Sequence, residues 1–195
     1  MRPCLLTVAL LLGACVPGLE GGPDGGALGG GGLDGGPDAG SVAPTADAQA
    51  WLDTQNAVRR NAQPAPASPL PPFTWSTDAA AVAQAWADGC HYQHNAGRGT
   101  RGENIAASSP GFLDIPKTVT AWASESADYD YQANTCAAGK ECGHYTQLVW
   151  RDTVRAGCAR RACHANSPFG AQFPDWDFFV CDYEPPGNFI GQRPY

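Results

Sequence analysis

Among the side chains of this 195-residue chain that could hold a divalent metal or move a proton, four stand out: His94, His144, Glu103 and Glu125. Two neutral imidazoles offer nitrogen ligands to Zn²⁺ or a similar ion, and two carboxylates serve as further ligands or as acceptors that orient the rings. Two histidines leave coordination positions for water. A hydrolase is therefore one chemistry open to the set: the ion lowers the pKa of a bound water, and Glu103 or Glu125 takes its proton as general base. His94 and His144 stand far apart in the chain, and no closely spaced pair among the four focuses the ligands, so spacing alone is equally met by four separately solvated polar residues. Zn²⁺ is an optional cofactor here, one the fold does not require.

The cysteines carry the other chemistry. Eight are present, which points to an oxidising compartment unless they bind metal, and the absence of a Cys-x2-Cys pair speaks against a zinc cluster. Cys4 and Cys15 fall in the N-terminal segment. The remaining Cys90, Cys136, Cys142, Cys158, Cys163 and Cys181 allow 15 pairings. Cys136 and Cys142 flank a polar loop with Gly139 available for a tight turn, so a local bridge is expected there. On one extended strand Cys158 and Cys163 would sit on opposite faces roughly 16 Å apart, beyond the ~7 Å reach of a disulfide. Two sets stay open: Cys90–Cys163 with Cys158–Cys181, or Cys90–Cys158 with Cys163–Cys181.

The elements that must position these groups follow from periodicity and capping. Residues 48–63 carry Trp51, Leu52, Gln55, Val58 and Arg59 at helical spacing before Pro64 and Pro66, which predicts a first helix. Ser76 or Thr77 caps a second, whose Val82, Trp86 and Cys90 form the stripe expected to face a core. Asp114 and Pro116 open a third that runs through Val119, Trp122 and Glu125. Residues 144–150 form a fourth, short helix. Residues 154–163 and 176–183 are rich in strand formers, and the second run is apolar on both alternating sets, as a strand covered on both faces requires. The expected fold class is α+β, a three-layer α-β-α sandwich with a small antiparallel sheet, stapled by disulfides.

Ahead of this domain the composition changes twice. Met1 and Arg2 give a positive start, Leu5 to Leu12 is an apolar run too short to span a bilayer, and Leu12-Gly13-Ala14-Cys15 follows. Residues 1–15 thus resemble a bacterial lipoprotein signal ending at the lipobox cysteine, so Cys15 is the expected lipidation site, with two acyl chains as a membrane anchor. By the same resemblance, Val16 in place of Asp favours the outer membrane. Residues 16–46 read as a Gly/Asp/Pro-rich disordered linker, since 12 of the 24 glycines lie within residues 16–40 and little bulky surface is available to offset ordering entropy. Its r.m.s. span is roughly 30 Å. Residues 47–195 form the single folded domain, and the length excludes a two-enzyme fusion.

Net charge is −7, but residues 16–47 hold five acids and no Lys or Arg, leaving 14 acids against 11 bases for residues 48–195. A net charge of this sign speaks against a broad electrostatic footprint on nucleic acid or an anionic bilayer. Arg151, Arg155, Arg160 and Arg161 read as a solvated strand edge, and His91 and His164, each beside a cysteine, as exposed polar residues.

Read together, several stretches resemble a known family. Gly143-His144-Tyr145-Thr146-Gln147-Leu148-Val149-Trp150-Arg151-Asp152-Thr153 is similar to the first signature of the CAP superfamily, which comprises cysteine-rich secretory proteins, antigen 5 and plant pathogenesis-related class one proteins. Phe179-Val180-Cys181-Asp182-Tyr183-Glu184-Pro185-Pro186-Gly187-Asn188-Phe189 resembles its second signature, and Gly102-Glu103-Asn104-Ile105 its Gly-Glu-Asn box. Gln55-Asn56-Ala57-Val58-Arg59 resembles the helix-one motif with Gln55 in place of the usual His, and Asp182 stands where Asn is typical. The resemblance spans residues 48–195, and the ending Ile190 to Tyr195 resembles plant pathogenesis-related class one members in particular.

The resemblance implies the CAP (SCP) fold, the bridges Cys90–Cys163, Cys136–Cys142 and Cys158–Cys181, and a cleft tetrad of His94, Glu103, Glu125 and His144. In relatives the histidines can hold a divalent ion, sterol or fatty-acid binding belongs to other surfaces, and no enzymatic activity is generally established. It therefore implies a monomeric binding protein for a lipid, sterol or protein partner, exported and either lipid-anchored at the cell envelope or extracellular. A Zn-dependent peptide or ester hydrolase is the alternative. A third reading, a precursor of a signalling peptide, follows from the likeness of Pro185-x-Gly-Asn-x5-Pro194-Tyr195 to the C-terminal peptide that plant relatives release.

Overall fold

The computed structural model describes residues 11–13 and 45–195. Cys15 and the linker residues 16–44 lie outside the described residues, as does most of the signal segment. In chain order the elements are β1 (Leu11–Gly13), α1 (Ala46–Arg60), β2 (Thr74–Trp75), α2 (Thr77–Asp88), β3 (Gly102–Ser108), α3 (Ile115–Ser124), β4 (Tyr129–Asp130), β5 (Thr135–Cys136), α4 (Gly143–Leu148), β6 (Arg155–Cys163) and β7 (Trp176–Glu184). The long helices begin on side chains that accept an orphan backbone N–H: Thr45 from Ala48, Ser76 from Ala79 and Asp114 from Lys117.

The strands pair in the order β1-β3-β7-β6-β2, with β4 and β5 as a separate hairpin. β3, β7 and β6 form long antiparallel ladders, while β2 joins in parallel over two residues. β7 is the centre, and successive residues along it point to opposite faces. Trp176, Phe178 and Val180 pack with Ala83 and Ala87 of α2. Phe179, Cys181 and Tyr183 pack with Trp51, Val119, Trp122 and Leu148, contributed by α1, α3 and α4. The result is the expected α-β-α sandwich, held by Cys90–Cys163, Cys136–Cys142 and Cys158–Cys181. Cys158 and Cys181 are register partners on β6 and β7.

Two local expectations are corrected. The buried face of α2 is Ala79, Ala83 and Ala87, each 0% exposed, while Val82, Trp86 and Cys90 are half-buried at its flank. The reason is close approach: a Cβ on Gly157 of β6 would stand 2.1 Å from the Ala80 nitrogen and 2.4 Å from the Ser76 carbonyl oxygen. Helix and strand backbones touch there, and only methyl-sized side chains fit between them. Trp86 instead donates its indole N–H to the Gln93 carbonyl at 2.8 Å, fixing the loop that carries His94. The second correction is β3, to which the sequence assigned no element; it is buried from Glu103 onward because β7 and the helices cover it.

The basic stretch is less free than a bare edge. Arg155, Arg160 and Arg161 pair with Glu184, Asp47 and Asp88, and Arg151 bonds Ser68. His91 and His164 are exposed, as expected. Among the described residues no helix is long and apolar enough to cross a membrane.

Candidate metal centre

α3 ends at Ser124 and tightens into a 3-10 turn, Glu125–Ala127. That turn delivers Glu125 to the start of α4. Glu125 Oε1 lies 2.6 Å from His144 Nδ1, and Oε2 accepts the backbone N–H groups of His144 and Tyr145 at 2.9 and 3.1 Å. One carboxylate thus orients an imidazole and satisfies two N–H groups that a helix start leaves unpaired. The His144 ring is fully buried and stacks on Trp122, with centroids 5.9 Å apart and planes within 9°.

The second pair is built from a loop and a strand. Glu103 on β3 uses Oε1 to contact His94 Nδ1 at 2.6 Å and to accept the Asn95 N–H at 2.9 Å. His94 keeps 14% of its side chain exposed. Because neighbouring strand residues point to opposite faces, Glu103 serves His94 on one side of β3 while Asn104 turns to the other. There the Asn104 amide donates to the His144 carbonyl at 3.1 Å and reaches the Tyr183 hydroxyl at 3.4 Å. Tyr183 donates to Gln55 Oε1 at 2.8 Å, and the Gln55 amide rests on Cys158 Sγ at 3.5 Å. Two residues of β3 therefore tie the two pairs together, and Gln55 closes the network on a disulfide.

The four sequence-predicted residues arrive as two pairs. Among the described residues no three His, Cys, Asp or Glu groups stand close enough to share one ion, so the carboxylates serve the rings. With Nδ1 of each ring facing a carboxylate, the lone pair is directed to Nε2. His94 Nε2 and His144 Nε2 are both buried without a hydrogen-bond partner among the described residues. Each is an oriented imidazole nitrogen of the kind that Zn²⁺ takes as a ligand.

Asp182 lies beside this arrangement. It is the register partner of both Glu103 and Gly157 and is 0% exposed, and neither carboxylate oxygen finds a hydrogen-bond partner among the described residues. Burial, reinforced by the negative charge of Glu103 and opposed by Arg101 and Arg98, pushes its pKa up to about 8. At pH 7 it is a neutral acid, which gives the Asp-for-Asn departure a physical account: the protonated group is uncharged, as an amide is.

Sequence reasoning missed the part played by Arg59. Its guanidinium, 1% exposed, donates to the carbonyls of Pro71, Leu148, Trp150 and Thr153 at 2.7 to 3.1 Å and lies over the Phe73 ring. It closes the C-terminal end of α4, the helix that carries His144. Burial, with Arg151 adding, pulls its pKa down to about 10. A signal was available: Trp51, Gln55 and Arg59 fall at i, i+4 and i+8, so two polar residues share the face of a buried Trp. Away from the pairs, a cavity of about 320 Å³ opens between the Cys136–Cys142 loop and the C-terminal segment, lined by Tyr129, Lys140, Trp150 and Phe189 among others.

Comparison with known proteins gives a consistent picture. The family described as the cysteine-rich secretory protein family, CAP, matches residues 52–183. Pathogenesis-related protein 1B of Nicotiana tabacum is 40% identical over 151 residues, which cover 75% of this chain and 80% of the relative. Peptidase inhibitor 16 of Bos taurus is 41% identical over 144 residues, 74% of this chain; the match spans only 30% of that relative's length. Among solved structures, NaASP2 with Zn²⁺ matches with a TM-score of 0.61 and 27% identity, over 83% of this chain and 90% of that one.

Proposed function

The chain belongs to the cysteine-rich secretory protein (CAP) family, and on that premise we propose that it is an exported binding module whose His94 and His144 hold a divalent metal ion. The observation that carries this reading is the pair of buried, unsatisfied Nε2 atoms, each on a ring oriented through Nδ1 by a carboxylate. A related structure, 27% identical, is described with Zn²⁺, which supports the choice of ion. Bound zinc would supply a Lewis acid to a ligand oxygen. The chain's own residues do the rest: Glu103 and Glu125 hold the Nδ1 protons, and Trp122 excludes water from one face of His144.

The binding reading is preferred to the hydrolytic one because both candidate bases serve as acceptors that hold the rings: Glu125 engages both oxygens with His144 and Tyr145, and Glu103 uses Oε1 for His94 and the Asn95 N–H. Three disulfides fit export to an oxidising compartment. The lipobox-like Cys15 supports a lipid anchor at the envelope. The partner is a lipid, a sterol or a protein; the exposed Phe189 and Ile190, 49% and 82% accessible beside the 320 Å³ cavity, suit an apolar ligand.

Calorimetric titration of the full chain carrying Cys15→Ala with Zn²⁺ tests the metal assignment. Saturable binding is expected, abolished by His94→Ala or His144→Ala, weakened about 10- to 100-fold by Glu125→Gln, and unchanged by His91→Ala with His164→Ala. Absence of zinc binding, or its loss only when the two exposed histidines are replaced, overturns the assignment.

A further inference from the structure

A second site lies one residue pair along the sheet from Glu103 and Asp182. Gly102 and Tyr183 are register partners, and just outside them Arg101 meets Glu184: Arg101 Nε lies 2.6 Å from Glu184 Oε1. Arg155 Nε and the Ser76 hydroxyl both reach Oε2 at 3.0 Å. Burial pushes the Glu184 pKa up, but the hydrogen bonds from Arg155, Arg101 and Ser76 outweigh it and hold it below the ordinary carboxylate range. Glu184 is therefore ionised, and two guanidiniums face one carboxylate with one positive charge left over.

Both arginines meet Glu184 through Nε and leave most of the fork unspent. Arg101 gives one terminal amino group to the Arg98 carbonyl. Its other terminal nitrogen and both of those on Arg155 carry no hydrogen bond among the described residues. These donors border a cavity of about 300 Å³ lined by Thr100, Arg101, Arg155, Glu184, Pro185 and Pro186. The two prolines offer no N–H, so the side-chain donors of the cavity are the guanidiniums and the Thr100 hydroxyl. Guanidinium forks match the oxygens of a phosphate group bidentately, which a point charge does not.

We propose that this cavity is an anion site that takes a phosphate group, either as free phosphate or on a lipid headgroup, gripped by Arg101 and Arg155 with Thr100 beside them. Glu184 preorganises the two arginines and sets the affinity by competing with the ligand for them. The site does not depend on the metal reading, because it uses neither histidine.

The probe is inorganic phosphate, titrated into the full chain carrying Cys15→Ala while the Arg side-chain Nε–H resonances are followed by NMR. Saturable shifts of Arg101 and Arg155 are expected, with affinity reduced about tenfold by Arg155→Ala and partly restored by Arg155→Lys. Glu184→Gln is expected to tighten binding several-fold, a gain that a merely damaged fold would not produce. Co-sedimentation with phosphatidylcholine vesicles, with and without phosphatidylglycerol, separates the sources. Arg155-dependent binding to the anionic vesicles assigns a headgroup, whereas phosphate binding without vesicle binding assigns the free anion, and both support the site. Equal shifts with chloride at matched ionic strength, no saturation, or indifference to Arg155→Ala would overturn it.

Discussion

Glu125–His144 and His94–Glu103 are joined by contacts of the same length, 2.6 Å, yet the two pairs are held in different ways. The first is locked by secondary structure: a 3-10 turn delivers the carboxylate, a helix start supplies two N–H groups, and Trp122 covers the ring. The second rests on a loop after α2, keeps part of its imidazole in solvent, and has the buried acid Asp182 and the cations Arg98 and Arg101 around it. One half of the candidate centre is thus held by secondary structure, and the other by a loop that borders a buried acid.

The largest expected effect tests the locked half. Glu125→Ala leaves a buried imidazole and two helix-start N–H groups without their acceptor, and should cost about 3 to 5 kcal/mol of stability. Glu103→Ala, beside a partly exposed histidine, should cost about 1 to 3 kcal/mol. Urea unfolding of both variants reads the difference, and equal losses would erase the distinction between the pairs.

Asp182 sharpens the comparison from the loop-borne half. Its folded pKa, raised to about 8 from an ordinary 3.8, means that between those values the folded chain keeps a proton the unfolded chain has lost. The stability this proton contributes is full below the lower value and is lost as pH rises through the upper one. Asp182→Asn should therefore stabilise the protein at pH 8 by a few kcal/mol, at about 1.4 kcal/mol per pKa unit as an upper bound. Near pH 3.5 the gain should vanish. Urea melts at the two pH values measure it, and a pH-independent effect would show that Asp182 does not titrate as described.

Much of this architecture was legible in the sequence, and the failures have physical causes. Asp114 and Pro116 marked α3 because capping and proline geometry are local, and the doubly apolar run at 176–183 announced a strand covered on both faces. α2 was misread because its bulky Val82 and Trp86 suggested the buried stripe, whereas the opposing Gly157 decides that only alanines fit. β3 escaped notice because Gly-Glu-Asn-Ile-Ala-Ala-Ser has little strand propensity of its own and is buried by its neighbours. The four chemical residues were singled out by type, but their division into 94 with 103 and 125 with 144 depends on the fold, which sets the loop after α2 beside β3 and the 3-10 turn beside α4. No single-residue signal carried that.

The central claim is that His94 and His144 present their Nε2 atoms as metal ligands while the carboxylates only orient the rings. A crystal of the protein soaked in Zn²⁺ or Cd²⁺, with anomalous maps recorded, tests it most directly. The account predicts an anomalous peak within bonding distance of His94 Nε2 and His144 Nε2, with Glu103 and Glu125 still on Nδ1. A peak bonded to either glutamate, or peaks only at exposed residues such as His91 and His164, would contradict it.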